Sequence, residues 1–468
     1  MVGLRSFAFV AIWSALLVGI VTAFPAALNP GPMNKRTKTA SVSAADGIFK
    51  GRHHGPIEYH RTLSKYNIPI PHDLQRAVDR YLQKLPTDQT GGVPALSQDG
   101  DLEWTAPANI GTPAQQIYLD FDTGSADTWV FTNDTASKSV KGQTILDLSK
   151  STTAQLISNC TWSIMYGDFS SSSGIVYQDT LSLGDLVIKG MTIESAKQVS
   201  QQFSEQKEMS GLFGLAFSSI IQTKPKQKAL LDFLPDLLEE PIFTSDLRHN
   251  SSDGSYNFGY IDHDLHGSDI EYTGVDTTDG FWAVDMKGFA AKDDSDYSYE
   301  FASPVQVILD TGSTLFYAPD AAVQAYYKNH VPYANFSYVE YGWILPCNST
   351  PPNFIWELTD KQDNVIQGEV PGEYLPYAVL DSKGSPPGYC YSGLQSLGGF
   401  SPLQGILGDI FLKSSFQVWD VGQERVGFAT KPLPPLRSDQ GSTDGKKAPG
   451  AYGRRGLMEK KTKKVILQ

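Results

Sequence analysis

Two short stretches of this chain nearly repeat each other, and each places an aspartate directly after an apolar run. The first is Tyr-Leu-Asp-Phe-Asp-Thr-Gly-Ser at 118–125, and the second is Val-Ile-Leu-Asp-Thr-Gly-Ser at 307–313. In each copy the Asp is followed by a Gly that permits a tight turn and a Ser that can hydrogen-bond a carboxylate. The repeat predicts two related halves, which contribute the carboxylates of Asp122 and Asp310.

A second repeated element follows each aspartate. The segment 212–214 (Leu-Phe-Gly) ends 92 residues after Asp122, and the segment 406–408 (Ile-Leu-Gly) ends 98 residues after Asp310. Similar spacings favour a duplicated domain over a coincidence of tripeptides. One Asp-Thr-Gly alone would fit any strand-to-turn transition, whereas two copies with matched flanks indicate a site built from paired carboxylates.

Paired carboxylates have a characteristic chemistry. Two such groups held close together share one proton, because both cannot ionise easily, so one pKa is depressed and the other raised. One carboxylate is then a base for a water molecule, and the other is an acid for the carbonyl oxygen of a peptide. This chemistry needs no metal and no cofactor. The sequence does not indicate which of Asp122 and Asp310 carries the proton.

These motifs belong to a longer series that resembles the pepsin-like aspartic proteases, particularly their secreted fungal group. The series runs from about Leu102 to Thr430, and its segments in order are 122–129, 166–168, 211–217, 258–262, 310–313, 406–409 and 426–429. The resemblance implies an all-β, two-lobed fold, with duplicated lobes related by a pseudo-twofold axis and a cleft between them. Short runs rich in Thr, Ser, Tyr and Phe between turn residues also favour an all-β chain. The clearest helices are predicted around Asp73–Lys84 and Lys228–Leu238.

The resemblance also implies a role for the residues around each aspartate. Hydroxyl groups at two positions would hydrogen-bond the outer carboxylate oxygens, and two threonines would cross-link the two loops. Including the glycines between them, these supporting residues are Thr123, Gly124, Ser125, Thr311, Gly312 and Ser313.

A hairpin at 160–177, with alternating residues and a small polar tip, matches the flap of the family. By that match Tyr166, Gly167 and Asp168 lie over the cleft, and the Trp129 indole N–H reaches the Tyr166 hydroxyl. On its own, a Tyr in a strand is more often simple packing. In the fungal enzymes an acid at the position of Asp168 accepts a substrate Lys at P1, but Phe169 departs from the small residue usual there.

Phe203 and Leu212 align with residues that line the apolar S1 pocket of the resembled family. The alternative for both residues is ordinary packing in the core. The expected preference is therefore for large hydrophobic residues around the scissile bond.

Charge divides the chain into three parts. Residues 91–430 contain 43 acidic and 17 basic residues, for a net charge of −26, whereas residues 24–90 have a net charge of +5 and residues 431–468 of +7. The acidic core argues against nucleic-acid or anionic-membrane partners. In zymogens of the resembled family a propeptide Lys-Tyr plugs the site with its ammonium between the aspartates, and Lys65-Tyr66 is the candidate here, although a solvated Lys is an alternative.

The remaining segments complete the predicted organisation. Residues 1–23 read as a signal peptide cleaved after Ala23, and residues 24–90 read as a basic propeptide. The lobes are predicted at 91–272 and 273–430, followed by a disordered basic tail at 431–468 without a lipid-anchor signal. Five N-glycosylation sequons begin at Asn133, Asn159, Asn250, Asn335 and Asn348.

The resemblance implies a disulfide between Cys347 and Cys390, which leaves Cys160 as a buried free thiol. The expected product is a monomer, secreted outside the cell or delivered to a vacuole, that acts on protein or peptide substrates and binds its own propeptide and pepstatin-type inhibitors.

Two other classes of protein remain as alternatives. One is a non-catalytic binding protein on the same fold, which would often lack an Asp or the flap Tyr that this chain keeps. The other is a two-carboxylate glycoside hydrolase, which paired Asp-Thr-Gly turns and a flap disfavour.

Overall fold

The computed structural model of the chain describes residues 40–43, 45–46, 55–66, 68–82, 104–166, 170–207, 209–249, 254–292, 297–360, 364–380, 385–398, 403–432 and 463–466. These ranges belong to one compact unit that covers residues 35–468. The predicted signal peptide and the predicted boundary between propeptide and N-terminal lobe, at residues 90 and 91, lie outside the described residues.

The described residues are mostly β-strands, so the predicted all-β fold class is confirmed. The strands of the first half are β1 (Ala40–Ser43), β2 (Ala45–Asp46), β3 (Trp104–Ile110), β4 (Gln115–Asp122), β5 (Thr128–Phe131), β6 (Gln155–Met165), β7 (Ser171–Leu183), β8 (Leu186–Val199), β9 (Gly211–Gly214), β10 (Ile242–Asp246), β11 (Ser255–Phe258) and β12 (Glu271–Gly274).

The second half continues this pattern of short strands. These strands are β13 (Ala283–Lys292), β14 (Tyr297–Leu309), β15 (Phe316–Ala318), β16 (Asn335–Ser337), β17 (Gly342–Pro346), β18 (Asn353–Thr359), β19 (Val365–Val370), β20 (Pro376–Val379), β21 (Tyr389–Ser392), β22 (Leu394–Ser396), β23 (Ile406–Leu407), β24 (Phe416–Asp420), β25 (Arg425–Ala429) and β26 (Lys463–Ile466). The helices are α1 (Gly55–Lys65), α2 (His72–Leu82), α3 (Gln201–Glu205), α4 (Leu234–Leu237), α5 (Asp320–His330) and α6 (Asp409–Leu412).

The strands form one large sheet in each lobe and a sheet shared between the lobes. The N-terminal lobe has the order β2-β3-β4-β9-β5-β8-β7-β6, and the C-terminal lobe has the order β19-β18-β13-β14-β23-β15-β22. The shared six-stranded sheet has the order β1-β11-β10-β24-β25-β12, and a smaller sheet in the C-terminal half has the order β16-β17-β21-β20.

The two lobes repeat the same local topology around the aspartates. β4 pairs with β9 in parallel, β9 pairs with β5 antiparallel, and β5 pairs with β8 in parallel. The C-terminal lobe repeats this order with β14, β23, β15 and β22. The repeated apolar-apolar-Gly elements therefore lie beside the strands that carry Asp122 and Asp310, which explains why both motifs are duplicated in the sequence.

The burial pattern of β4 shows that this strand runs from the surface of the lobe into the interior. Gln116 and Tyr118 are exposed while Ile117 and Leu119 are buried, as expected for a strand with one face on the core. From Leu119 onwards every residue is buried, because the strand passes from the lobe surface into the region between the lobes.

Large aromatic rings fill the core at the shared sheet. Phe243 and Trp419 stack with ring centroids 5.5 Å apart, and Trp282 meets Trp419 edge-on at 5.2 Å. The indole N–H of Trp282 donates to the backbone carbonyl of Leu215, 2.8 Å away, in the segment that follows β9. The core of the shared sheet is thereby linked to the N-terminal lobe just behind the first aspartate.

The helices agree in part with the sequence. The helix predicted around Asp73–Lys84 is α2, His72–Leu82. The helix predicted over Lys228–Leu238 is broken into a 3₁₀ turn at Leu230–Asp232 and the short helix α4. Pro235 explains the break, because it lacks the N–H group that a continuous helix would need there.

Three further elements bear on predictions from the sequence. The predicted disulfide joins Cys347 and Cys390, with their Cα atoms 4.9 Å apart, and Cys160 is a buried free cysteine. In the tail predicted to be disordered, the described residues Lys463–Ile466 form β26, which pairs in parallel with the first residues of β14, Tyr297–Glu300. In the part of the chain that is described, no helix has the length and apolar character needed to cross a membrane.

Candidate active site

The two aspartates lie at equivalent places in the two lobes. Asp122 is the last residue of β4, and Asp310 directly follows β14. The carbonyl of Asp122 accepts a hydrogen bond from Leu215 N–H at 2.8 Å, and the N–H of Asp310 donates to the Leu407 carbonyl at 3.1 Å. The repeated Gly-containing elements thus fix the backbone of both aspartates.

Two threonines connect the two loops by reciprocal hydrogen bonds. The N–H of Thr123 donates to the hydroxyl of Thr311 at 3.0 Å, and the N–H of Thr311 donates to the hydroxyl of Thr123 at 2.9 Å. Each hydroxyl then donates to a carbonyl of the opposite strand, that of Leu309 at 3.1 Å and that of Phe121 at 2.6 Å. Both threonines are buried, so each loop depends on the other to satisfy its polar groups.

The glycines after the threonines are required by close approach to the opposite carboxylate. A Cβ atom on Gly124 would lie 2.4 Å from Asp310 Oδ1, and one on Gly312 would lie 2.3 Å from Asp122 Oδ1. Neither glycine has a positive φ. The sequence suggested a turn that needs glycine's conformational freedom, but the structure gives a different reason, since any side chain here would push the two carboxylates apart.

Each carboxylate accepts the same pair of hydrogen bonds from its own loop. Gly124 N–H donates to Asp122 Oδ1 at 2.8 Å, and the Ser125 hydroxyl donates to Oδ2 at 2.5 Å. Gly312 N–H donates to Asp310 Oδ1 at 2.9 Å, and the Ser313 hydroxyl donates to Oδ2 of that residue. Both carboxylates are buried, with at most 1% exposure, so these donors replace water.

A lysine ammonium lies between the two carboxylates. Lys65, the last residue of α1, places its Nζ atom 2.9 Å from Asp122 Oδ1 and 2.8 Å from Asp310 Oδ1. The hydroxyl of Tyr66 donates to Asp310 Oδ2 at 2.6 Å, and its ring meets the ring of Phe281 edge-on with centroids 5.4 Å apart. The Lys-Tyr pair singled out in the sequence therefore contacts both aspartates.

The environments of the two aspartates differ. Burial raises the pKa of Asp122, and repulsion from Asp310 adds to this effect, so the pKa stays above its usual value despite Lys65. Burial acts in the same direction on Asp310, but the Lys65 ammonium and the donors Ser313 and Tyr66 outweigh it and lower the pKa of that carboxyl. In this state the proton is held more readily on Asp122, while Asp310 is the more stable anion.

An aromatic cluster extends from the first aspartate loop to the base of the flap. Trp129 donates its indole N–H to the Tyr166 hydroxyl at 2.9 Å. The ring of Phe203 meets both Tyr166 and Trp129 edge-on, with centroids 5.2 and 4.9 Å apart, and Leu212 belongs to the same buried cluster. Residues from three separate segments of the chain are thus brought together. The tip of the flap, with Gly167 and Asp168, lies outside the described residues.

The site contains several groups for which the sequence offered no signal. Phe281, which packs on Tyr66, belongs to no sequence motif that would have identified it as part of the site.

In the described ranges, no group of three or more His, Cys, Asp or Glu side chains is arranged to hold a metal ion.

A second carboxyl pair lies close to the dyad and was also missed. Asp127, in the first aspartate motif, and Glu194, on β8, are 1% and 0% exposed. β5 pairs with β8 in parallel and aligns Trp129 with Glu194, which brings the two carboxyls together. Asp127 accepts a hydrogen bond from Gln222 N–H at 2.8 Å, whereas neither Glu194 oxygen accepts one from an N–H or hydroxyl group of the described residues.

These two carboxyls can be stable in contact only if they hold a proton. Burial raises the pKa of Asp127 to about 6, and the nearby Asp122 contributes to the rise. Burial and repulsion from Asp127 raise the pKa of Glu194 well above its usual value. The Asp127–Glu194 pair should therefore make the folded protein more stable at acidic pH than at neutral pH.

The fold and the site together define the class of protein. Two β-lobes of matching topology each supply one buried aspartate to a close pair of carboxylates, and a β-hairpin of the N-terminal lobe carries a Tyr that is hydrogen-bonded to a Trp. This is the architecture of a pepsin-like aspartic endopeptidase.

Comparison with known proteins gives the family. Residues 103–431 match the model of the eukaryotic aspartyl proteases, and the chain belongs to that family. It is 40% identical to endothiapepsin from Cryphonectria parasitica, over 81% of this chain and 87% of that protein. It is 35% identical to podosporapepsin from Podospora anserina, over 80% and 86%, and 34% identical to aspergillopepsin-1 from Aspergillus clavatus, over 89% and 98%. The predicted resemblance to the pepsin-like, fungal group is confirmed.

The Asp127–Glu194 pair predicts a loss of stability as pH rises. The folded protein binds more protons than the unfolded chain between pH 3.8 and about 6, so the free energy of unfolding should fall across this interval. For Asp127 alone the loss is about 3 kcal/mol. In Glu194→Gln the repulsion is removed, and we expect a higher Tm at pH 6–7 than in the unaltered protein.

Thermal unfolding from pH 3.5 to 7, with a pepstatin-type inhibitor present to prevent self-digestion, measures this effect. Glu271→Gln is the control, because it removes the same charge from an exposed residue of β12. Equal Tm profiles for Glu194→Gln and the unaltered protein would show that the pair does not govern stability.

Proposed function

We propose that this chain is an acid endopeptidase, made as an inactive precursor, in which Asp122 and Asp310 activate a water molecule to hydrolyse peptide bonds. The observation that carries the proposal is the single ammonium group held by both carboxylates. An atom at the position of Lys65 Nζ is within hydrogen-bond distance of both aspartates. A water molecule in that position, once the lysine has left, could give a proton to one carboxylate while it remains bound to the other.

The chemistry follows from one shared proton. The ionised carboxylate accepts a proton from the water as its oxygen attacks the peptide carbonyl carbon, and the protonated carboxyl gives its proton to the carbonyl oxygen. The product is a neutral gem-diol on the substrate. Breakage of the C–N bond then restores the carbonyl as a proton passes to the leaving nitrogen, and no bond forms between enzyme and substrate.

The supporting residues have positioning roles in this scheme. The serine hydroxyls and glycine N–H groups stabilise whichever carboxylate is ionised, and the cross-linked threonines keep the two carboxyls at a fixed separation. Tyr166, held by Trp129, would close over the bound peptide.

The contacts of Lys65 and Tyr66 support an autoinhibited precursor. Both side chains occupy the place that the water and a substrate residue would need. The net charge of +5 on residues 24–90 against −26 on residues 91–430 favours docking at neutral pH and weakens it as the carboxylates are protonated. Release in acid would therefore match the pH at which the dyad holds its shared proton.

The segment boundaries are part of the same proposal. Residues 1–23 are a signal peptide, 24–90 the propeptide, 91–272 and 273–430 the two lobes, and 431–468 a basic tail. The enzyme is then secreted, with delivery to a vacuole as the alternative, and it acts as a monomer on peptides and binds pepstatin-type inhibitors, as aspartic proteases in general do.

The dyad is tested by replacing each aspartate. We expect Asp122→Asn and Asp310→Asn each to lower kcat by at least about a thousandfold, because an amide can neither share the proton nor accept one from water. Casein digestion at pH 3–4 with and without pepstatin measures the loss, and Asp264→Asn, which changes an exposed carboxylate, is the control. Normal turnover by either dyad variant would refute the assignment.

The plug is tested by the pH of activation. Removing the ammonium in Lys65→Met leaves two buried carboxylates without a cation, which typically costs several kcal/mol. We therefore expect the precursor to activate at a pH at least roughly one unit higher than normal. Arg76→Gln, which removes an exposed charge from α2, should not shift the profile. An unchanged midpoint for Lys65→Met would mean that the propeptide inhibits by other contacts.

Substrate preference follows from the apolar cluster below the flap. Burying a large apolar P1 side chain against Phe203 and Leu212 contributes about 1.5–3 kcal/mol, whereas a partly exposed ion pair of substrate Lys with Asp168 contributes about 0–1 kcal/mol. We expect peptides with Phe or Leu at P1 to be cleaved faster than Lys peptides at pH 3. The Lys rate should rise relative to Phe towards pH 5, and Asp168→Thr should remove that rise. Peptide profiling that finds Lys preferred at pH 3 would reverse this ordering.

A further inference from the structure

Tyr59, on the propeptide helix α1, fills a pocket of the protease core away from the dyad. Its side chain is 4% exposed. Its ring centroid lies 5.3 Å from that of Tyr317 and 5.9 Å from that of Tyr341, and its hydroxyl donates to the backbone carbonyl of Ser396. The pocket therefore has two aromatic walls and a hydrogen-bond acceptor.

The walls of this pocket are held by contacts within the protease core. Tyr317 lies on β15, where its backbone pairs with β22 and β23, and its hydroxyl donates to the Glu58 carbonyl of α1 at 3.3 Å. Tyr341 lies in the turn between β16 and β17, where its carbonyl accepts a hydrogen bond from the Tyr391 hydroxyl at 3.1 Å and its ring meets Phe336 edge-on at 5.8 Å. The strand pairing of Tyr317 and these contacts of Tyr341 do not involve the propeptide, so we expect both rings to keep their positions when the propeptide leaves.

The backbone of Tyr341 is a second, independent indication. Its φ is +52°, in the left-handed region that glycine adopts readily and bulky residues rarely do. Backbone outliers of this kind tend to occur where a side chain serves binding. Here the unusual backbone presents the ring to the pocket.

We propose that in the processed enzyme this pocket is an accessory subsite for a tyrosine side chain of the peptide substrate. The proposal rests on the proposed function, because the propeptide must leave before a substrate can take its place. The occupant is identified by what fills the pocket here, a phenol ring between two aromatic rings with its hydroxyl donating to a carbonyl.

The helix gives the distance of this subsite from the dyad. Tyr59 and Lys65 are six residues apart on α1, which corresponds to about 9 Å along the helix axis. An extended peptide covers about 3.3 Å per residue. The substrate tyrosine should therefore lie roughly three residues from the scissile bond.

The contacts also predict an order of preference. Tyrosine can fill the pocket and donate to Ser396, whereas phenylalanine fills it but leaves the carbonyl without a donor. Sites built around a hydroxyl discriminate against analogues that lack it. Alanine loses both contributions, so the order of kcat/KM should be Tyr, then Phe, then Ala.

A peptide series tests this directly. Tyr, Phe or Ala is placed in turn at each position from four residues before to four residues after a Phe-Phe cleavage site, and kcat/KM is measured with the processed enzyme. At one position two to four residues from the scissile bond, we expect Tyr to give a roughly tenfold higher kcat/KM than Ala, with Phe intermediate.

The variant Tyr341→Gly assigns that preference to the pocket. Glycine suits the backbone at this position, so the turn should keep its shape, and the advantage of Tyr over Ala should fall below about twofold. Tyr338→Gly is the matched control, because Tyr338 lies in the same turn, is 76% exposed and packs on Phe336. In Tyr338→Gly the kcat/KM of the Tyr peptide relative to the Ala peptide should be unchanged.

Binding of a propeptide peptide separates failure of this proposal from failure of the proposed function. The peptide of residues 55–66 and its Tyr59→Ala form are titrated into the processed Asp122→Asn protein by calorimetry. One outcome is that the processed protein with Asp122 intact cleaves no peptide, while Tyr59→Ala weakens binding of the propeptide peptide at least tenfold and Tyr341→Gly abolishes that difference. In that case the proposed function fails and the tyrosine pocket stands. If peptides are cleaved with no Tyr preference at the outer positions, or with one that Tyr341→Gly leaves intact, the substrate subsite is refuted whatever the titration gives.

Discussion

The geometry of this site depends on hydrogen bonds that each aspartate loop gives to the other. Thr123 and Thr311 exchange backbone and hydroxyl contacts across the lobe interface, and neither loop could bury its polar groups alone. The contact brings the loops so close that each glycine lies against the opposite carboxylate, where a methyl group would not fit. The repeated Asp-Thr-Gly therefore forms the two sides of one interface: each threonine links the loops, each glycine leaves room for the opposite carboxylate, and each aspartate supplies one carboxylate of the pair.

This close approach creates an electrostatic cost that the Lys65 ammonium offsets. Two carboxylates taken out of water and placed side by side repel each other, and the loop donors alone favour ionisation of both. The Lys65 ammonium satisfies both carboxylates in the precursor, and its own pKa is raised because their attraction outweighs the effect of burial. One cation thus lies between both carboxylates and neutralises them, so the proposed inhibition and the stability at neutral pH would have the same physical origin.

Much of this arrangement could be predicted from the sequence, because duplication leaves a local pattern. The repeat around Asp122 and Asp310 led to the family and the all-β fold, which are confirmed, as is the Cys347–Cys390 disulfide. The break in the helix over 228–238 was missed although Pro235 signals it. No sequence pattern near Glu194 could have identified it, because it meets Asp127 only through the parallel pairing of β5 and β8. The same holds for Tyr59, which is an ordinary helix residue until its partners in the C-terminal half are known.

Two carboxyl clusters that depend on protons, the Asp122–Asp310 dyad between the lobes and the Asp127–Glu194 pair in the N-terminal lobe, are therefore linked by one short segment of chain. Asp122 and Asp127 are five residues apart, and the charge of Asp122 adds to the burial that raises the pKa of Asp127. In the precursor the first cluster is neutralised by Lys65, whereas the second has only its own proton. Once the propeptide has left, both clusters rely on protons from the solvent. Under the proposed function, the protease core should then tolerate neutral pH less well than its precursor, and the acidic conditions proposed to release the propeptide would also keep the released enzyme folded.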